Sequence, residues 1–203
     1  MRLIKFFKNI ITGRPLRNFR KQSARISVGF IIDSFTQVKS KRVVFVSKQN
    51  VQVMGNLRVM LDALIREGGY EIGVFKKGKI NDHFAKDMLK RGVRLMTDFD
   101  LSTLRYIYSS QVVVVSHSAR DAFISRPKKA RRVINVWHGV AIKKIEALMT
   151  SFNDPSLSSR KKQIHRNSKI YDTLIASSKV DQLVITASFG VDYSKVLATG
   201  LPR

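Results

Sequence analysis

From Lys41 onward the apolar positions switch repeatedly between a continuous or two-residue period and a period near three and a half. Arg42-Val-Val-Phe-Val-Ser47 is an unbroken apolar run, the form of a strand covered on both faces. Asn56 to Arg66 then puts Leu57, Met60, Leu61 and Leu64 on one helical face and stops at Gly68-Gly69. The same alternation predicts a strand over Tyr70 to Phe75, a helix over Asp82 to Lys90 and a short strand over Val93 to Met96. A helical turn over Leu101 to Tyr108 follows, then a central strand over Gln111 to Ser116. After it come a short helix over Ala119 to Ile124 and a strand over Arg132 to Trp137. Ser151 to Lys169 is polar and basic, and reads as a loop or a surface helix. Tyr171 to Ala176, Lys179 to Phe189 and Lys195 to Thr199 resume the pattern as strand, helix and strand. Strands alternating with helices in this way predict an α/β class fold, a Rossmann-like, doubly wound, mostly parallel sheet.

The first 40 residues are different. Within M-R-L-I-K-F-F-K-N-I-I, the residues Leu3, Phe6, Phe7, Ile10 and Ile11 recur at helical spacing with Lys5 and Lys8 between them, which describes an interfacial amphipathic helix. Gly13 and Pro15 break it. A second apolar patch, Ile26 to Phe35, is interrupted by Gly29 and Asp33 and predicts a surface-lying or docking helix. The division expected is therefore a basic amphipathic leader over residues 1–40 and a Rossmann-like domain over residues 41–203.

Charge sharpens this picture. The 203 residues hold 38 Lys and Arg against 14 Asp and Glu, a formal net charge of +24 that an anionic partner must answer. Anionic lipid, a polyphosphate polymer and nucleic acid all carry the required sign, but no nucleic-acid recognition motif is present. The basic leader favours an anionic membrane surface, and with no apolar run of 18 residues the chain is expected to lie peripherally on the cytoplasmic face. There is no cysteine, which excludes disulfides, thiolate metal sites and thiol nucleophiles.

Candidate chemistry concentrates in V-I-N-V-W-H-G-V-A-I-K-K-I, residues 133–145. Ligands of open α/β sheets bind at the carboxyl ends of the strands, so His138, just past a β-branched run, is placed to meet one. Histidine is also the side chain best suited to general-base work near neutral pH. Gly139 permits close backbone approach, and Lys143 and Lys144 supply positive charge. His117, in S-H-S-A, leaves the same edge of the sheet and is read as supporting His138 or capping the next helix with Ser118. His83 and His165 fall in surface stretches. No spacing of histidines and carboxylates resembles a metal site, so no metal is expected. Phosphate-binding loops of the Walker and dinucleotide types are absent, as is a nucleophile elbow. Basic clusters at Arg126, Lys128, Lys129, Arg131 and Arg132, and at Arg160, Lys161, Lys162, Arg166 and Lys169, are either solubilising faces or a means of holding a polyanion.

Taken in order, Trp137-His138-Gly139, Lys143-Lys144-Ile145, Ala176-Ser177-Ser178, Phe189-Gly190 and Thr199-Gly200-Leu201-Pro202-Arg203 resemble the CDP-glycerol glycerophosphotransferase family, the teichoic acid primases and polymerases. The resemblance covers roughly residues 41–203. It implies the N-terminal, acceptor-side half of a GT-B architecture. It also implies transfer of glycerol phosphate from CDP-glycerol to a lipid-linked teichoic acid precursor, with His138 as the base. On the same basis Gly139, Lys143, Lys144, Ser177, Ser178, Gly200 and Arg203 would contact substrate, with Trp137 and His117 supporting. CDP-glycerol is then a substrate and no cofactor is needed. With Arg203 as the last residue, before the aspartate expected after G-x-P-R-x, the resemblance leads to the expectation that the C-terminal nucleotide-binding domain is absent from this chain. The expectation is therefore a chain inactive alone, as a fragment, a truncated gene product or one part of a split enzyme, the last completed by a partner chain that carries that domain. The alternative is a non-catalytic basic module that binds anionic membrane or a polyphosphate polymer.

Overall fold

The computed structural model describes residues 22–48, 52–124, 126–140, 145–149 and 157–202. Its centre is one parallel sheet in the order β3-β2-β1-β4-β5-β6-β7, built from Lys39–Ser47 (β1), Glu71–Lys76 (β2), Arg94–Met96 (β3), Ser110–Val115 (β4), Arg132–Asn135 (β5), Thr173–Ile175 (β6) and Val196–Leu197 (β7). The chain winds outward from β1 through β2 to β3, then crosses to the other side of β1 at β4 and winds outward to β7. The order therefore reverses between β1 and β4, the position where open α/β sheets generally bind their ligands, at the carboxyl ends of the strands.

The strand residues alternate between two cores, which is why the central strands read as solid apolar runs. Val44, Val46, Val113 and Val115 face a cluster with Leu104, Ile107, Ile185 and Phe189 from helices Leu101–Ser109 (α4) and Lys179–Phe189 (α6). Val43, Phe45 and Val114 face the opposite cluster, where Leu57, Leu61 and Met88 arrive on helices Gly55–Glu67 (α2) and Asp82–Lys90 (α3). The boundaries of α3 and α6 follow their caps. Asn81 and Ser178 accept the backbone N–H groups of Phe84 and Asp181, and Gly190 ends α6 in the left-handed region at φ 59°.

The helix Gln22–Phe35 (α1) comes from the segment read as leader, and it is fastened to the core. Asp33 is buried and forms a bidentate pair with the buried Arg131, at 2.6 and 3.0 Å, while Lys128 donates to the Asp33 and Thr36 carbonyls. Gly29 lies against the hydroxyl of Tyr108, where any Cβ would collide. These contacts redirect most of the cluster from Arg126 to Arg132. Arg126 stacks on Phe30 and donates to Ser34, Arg131 and Lys128 hold Asp33, and Arg132 pairs with Asp172. Arg131 and Lys128 are thereby engaged in holding α1, while the Arg132 side chain, 65% exposed, keeps its charge at the surface.

Some edges differ from the periodic reading. β5 stops at Asn135 because Trp137 takes a left-handed φ of 48°, which no strand continues through. The short helix after β4 is one 3₁₀ turn, Ala119–Ala122, closed by Phe123 at φ 58°. The basic stretch after residue 151 contains a helix, Leu157–Ser168 (α5). The amphipathic helix expected over Leu3 to Ile11 lies outside the described residues.

Candidate active site

Strands β4 and β5 are neighbours, paired Val115 to Asn135 at their carboxyl ends, and each delivers a histidine just past that point. The imidazoles of His117 and His138 stack with centroids 4.2 Å apart and planes inclined by 15°. Trp137 closes a second side of His138, at 4.0 Å, and packs edge-on against Phe189 of α6. His138 is exposed and His117 half-buried, so the outer ring of the pair is the one a substrate meets.

Ser116 tethers both rings. Its carbonyl lies 3.1 Å from Nδ1 of His138, and its hydroxyl lies 2.9 Å from Nδ1 of His117. A carbonyl only accepts, so Nδ1 of His138 carries the proton and Nε2 keeps the lone pair, the arrangement a general base requires. Burial pulls the His117 pKa down to about 4, helped by neighbouring His138 and by the ammonium of Lys48, just past β1. His117 is therefore neutral at physiological pH. In the 3₁₀ turn after β4, Asp121 completes a capping box with Ser118, and burial raises its carboxyl above the ordinary range.

Two buried asparagines shape the turn that presents His138. Asn135 donates to the His117 carbonyl at 3.0 Å and accepts from the Trp137 N–H at 2.9 Å, joining the ends of β4 and β5. Asn56, in the first turn of α2, donates to the carbonyls of Val136 and Trp137 at 3.0 and 3.2 Å. Between them they hold Trp137 in a conformation that is costly for a bulky residue, on the order of 1–3 kcal/mol. Sequence reasoning missed Ser116, Asn56, Asn135 and Lys48. Only the position of Lys48 directly after a strand gave any signal for it.

The other predicted residues follow the sheet outward. Gly139 is half-buried beside His138. Ser177, at the end of β6, donates its N–H and hydroxyl to Asp181, and the hydroxyl of Ser178 accepts the Asp181 N–H, so both serve the first turn of α6. Gly200 follows β7 at φ 81° with open space around its Cα. Lys143, Lys144 and Arg203 lie outside the described residues. His83 and His165 are exposed. Among the described residues no group of three His, Asp or Glu side chains converges as a metal site would require.

The family model for CDP-glycerol:poly(glycerophosphate) glycerophosphotransferase matches residues 29–203. The chain belongs to that family. This glycerophosphotransferase-family chain is 25% identical over 195 residues to the teichoic acid poly(ribitol-phosphate) polymerase of Bacillus spizizenii, which covers 95% of this chain and 29% of the relative. It also superimposes on structures of the wall teichoic acid polymerase TagF. A histidine-to-alanine variant gives a TM-score of 0.72 over 99% of this chain and 47% of that one, at 16% identity. A histidine-to-asparagine variant soaked with CDPG gives 0.75 over 99% and 46%, also at 16% identity. These likenesses establish the Rossmann-like, GT-B-type fold, and this chain spans less than half the length of each of these relatives.

Proposed function

We propose that this chain supplies the acceptor side and the general base of a glycerophosphotransferase acting in teichoic acid synthesis. The observation that carries the reading is the exposed His138 imidazole, held at the carboxyl edge with Nδ1 on the Ser116 carbonyl. In the reaction, Nε2 of His138 takes the proton of a terminal glycerol hydroxyl on a lipid-linked acceptor. The freed oxygen bonds to the β-phosphorus of CDP-glycerol, the bond from that phosphorus to the bridging oxygen breaks, and CMP leaves with the electron pair. His138 then returns its proton to solvent. CDP-glycerol is the donor substrate and no cofactor takes part. Lys48, Lys143 and Lys144 would offset phosphate charge, Gly139 and Gly200 would let substrate approach the backbone, Arg203 would contact substrate, and Ser177 and Ser178, whose hydroxyls are engaged with Asp181, would do so only alongside that cap. A nucleotide-binding domain, in a longer polypeptide or a partner chain, provides the facing wall. That a histidine variant of TagF was soaked with CDPG supports looking for the chemistry at a histidine.

The test is CMP release from CDP-glycerol with a lipid-linked glycerophosphate acceptor, using the chain together with the nucleotide-binding domain. His138→Asn is expected to lower kcat by about 10²–10⁴, the usual contribution of a positioned base. A rate within threefold of native removes His138 from the mechanism.

A second reading has its own support. Phe30, Ile31 and Phe35 are 46%, 56% and 88% exposed on α1, with Arg126 stacked beside them, as an interfacial helix on an anionic membrane would present them. Peripheral attachment to the cytoplasmic face of the membrane fits the transferase and also fits a non-catalytic basic module. Binding to vesicles of anionic lipid that weakens with salt, weakens in Phe30→Ser/Phe35→Ser and survives His138→Asn supports attachment. If His138→Asn also leaves transfer unchanged, the module reading is favoured.

A further inference from the structure

His117 has no direct task in the reaction above, yet it makes the closest ring contact to His138 among the described residues apart from Trp137. It is half-buried, so substrate meets His138 first. Its Nδ1 is engaged by the Ser116 hydroxyl. It is uncharged at working pH, so it attracts no phosphate. What it offers is a flat π face, set nearly parallel to the imidazole of His138.

We propose that His117 is a positioning residue that works through this stack, holding the His138 ring in the one orientation that keeps Nδ1–H on the Ser116 carbonyl and the lone pair on Nε2. This rests on the reading of His138 as the base. A single hydrogen bond of 3.1 Å at an exposed residue leaves the ring free to turn about its side-chain torsions. The stack removes that freedom from one side and Trp137 removes it from another. The backbone of His117 is fixed in turn by Asn135, which also grips the N–H of Trp137, so the two flanking rings are set by one buried amide. When His138 accepts the substrate proton, the imidazolium lies against an uncharged π face, an attractive contact that a charged neighbour would reverse. Among the described residues the charge that bears on His117 is that of Lys48 from the end of β1, which also acts on Asp121 in the 3₁₀ turn, as Arg120 does. Burial of the His117 ring is the main reason it stays uncharged, and Lys48 acts in the same direction.

The experiment is long-range ¹H–¹⁵N spectroscopy of the 203-residue chain, labelled in histidine, at pH 8. The four histidines are assigned by single substitution. In the native chain and in His117→Phe, which preserves an aromatic face, His138 is expected to show a proton-bearing Nδ1 and an unprotonated Nε2. In His117→Leu, which fills the space without a face, the Nδ1–H population is expected to fall at least twofold. His117→Met serves the same comparison if the leucine chain lacks a native amide spectrum. A leucine or methionine chain with the native His138 pattern overturns the proposal. So does a phenylalanine chain that loses the pattern as completely as the leucine chain. Failure of the base assignment is separately visible, because transfer indifferent to His138→Asn removes the base while leaving the tautomer result standing.

Discussion

Asp33→Asn tests how α1 is held to the domain. Both carboxylate oxygens of Asp33 meet the Arg131 guanidinium, whose side chain is 1% exposed, and Lys128 adds a contact at 3.3 Å. Removing one partner of a buried pair strands the other charge and costs about 3–5 kcal/mol. An asparagine oxygen still accepts one Arg131 bond, and Arg131 still donates to the Tyr108 carbonyl, so Asp33→Asn belongs at about 3 kcal/mol in this range and Asp33→Ala at about 5. For a chain of this length each kcal/mol moves Tm by about 2–4 °C, which gives a fall of about 6–12 °C for Asp33→Asn. The charge also fixes a pH dependence. Burial pushes the Asp33 carboxyl up, but Arg131 and Lys128 outweigh it and hold the pKa below the ordinary value. A depressed folded pKa means stability that is fully present above the unfolded value near 3.9 and is lost as pH falls through the folded value. Urea unfolding followed by circular dichroism at pH 7 and again between pH 5 and 2 measures both effects. The native chain is expected to show the acid loss and Asp33→Asn to lack that component. In the double variant Asp33→Leu/Arg131→Met, no charge is stranded, and its loss should be smaller than that of Asp33→Leu alone. An Asp33→Asn loss under about 1 kcal/mol, or a double variant as damaged as the sum of its singles, refutes the pair as the fastening of α1.

Three further substitutions probe the site and the sheet beneath it. Asn135→Ala deletes the bonds to the His117 carbonyl and the Trp137 N–H and is expected to cost about 1–3 kcal/mol in urea unfolding, with transfer reduced by more than stability alone explains. His138→Asn, at an exposed position, should leave unfolding within about 0.5 kcal/mol of native, which separates its effect on transfer from any effect on folding. Gly73→Ala on β2 would push a methyl into the buried ring of Tyr106 and to 3.0 Å from Met96, and a loss of about 1–3 kcal/mol by thermal melting is expected.

The sequence exposes what is local and hides what is assembled from afar. β1 and β4 are legible because a parallel strand buried on both faces needs valine at nearly every position, and α3 and α6 because their caps sit one residue from the turn they close. His138 and His117 were legible for the same reason, each lying within three residues of the end of such a run. Asp33 reads locally as a polar break in an apolar patch and Arg131 as one more cation in a basic cluster. Only the packing of α1, 98 positions away along the chain, turns the two into a buried pair. Asn56 behaves alike, an ordinary residue near a helix start until its amide reaches the carbonyls of Val136 and Trp137, 80 positions on.

Asn56 and Asn135 serve one purpose at the rim. A histidine past the end of a strand is commonplace, and its position alone fixes neither tautomer nor direction. Here β5 is cut short by the left-handed Trp137, and the cost of that turn is borne by two asparagines from different elements. The turn folds His138 back over His117 and onto the Ser116 carbonyl of the neighbouring strand, which converts an exposed, mobile ring into an oriented one. The left-handed turn that gives this orientation carries a backbone cost, offset in part by the packing of Trp137 against Phe189. Its placement at the carboxyl edge, near the point where the strand order reverses, is the placement that the proposed role of His138 as a base requires.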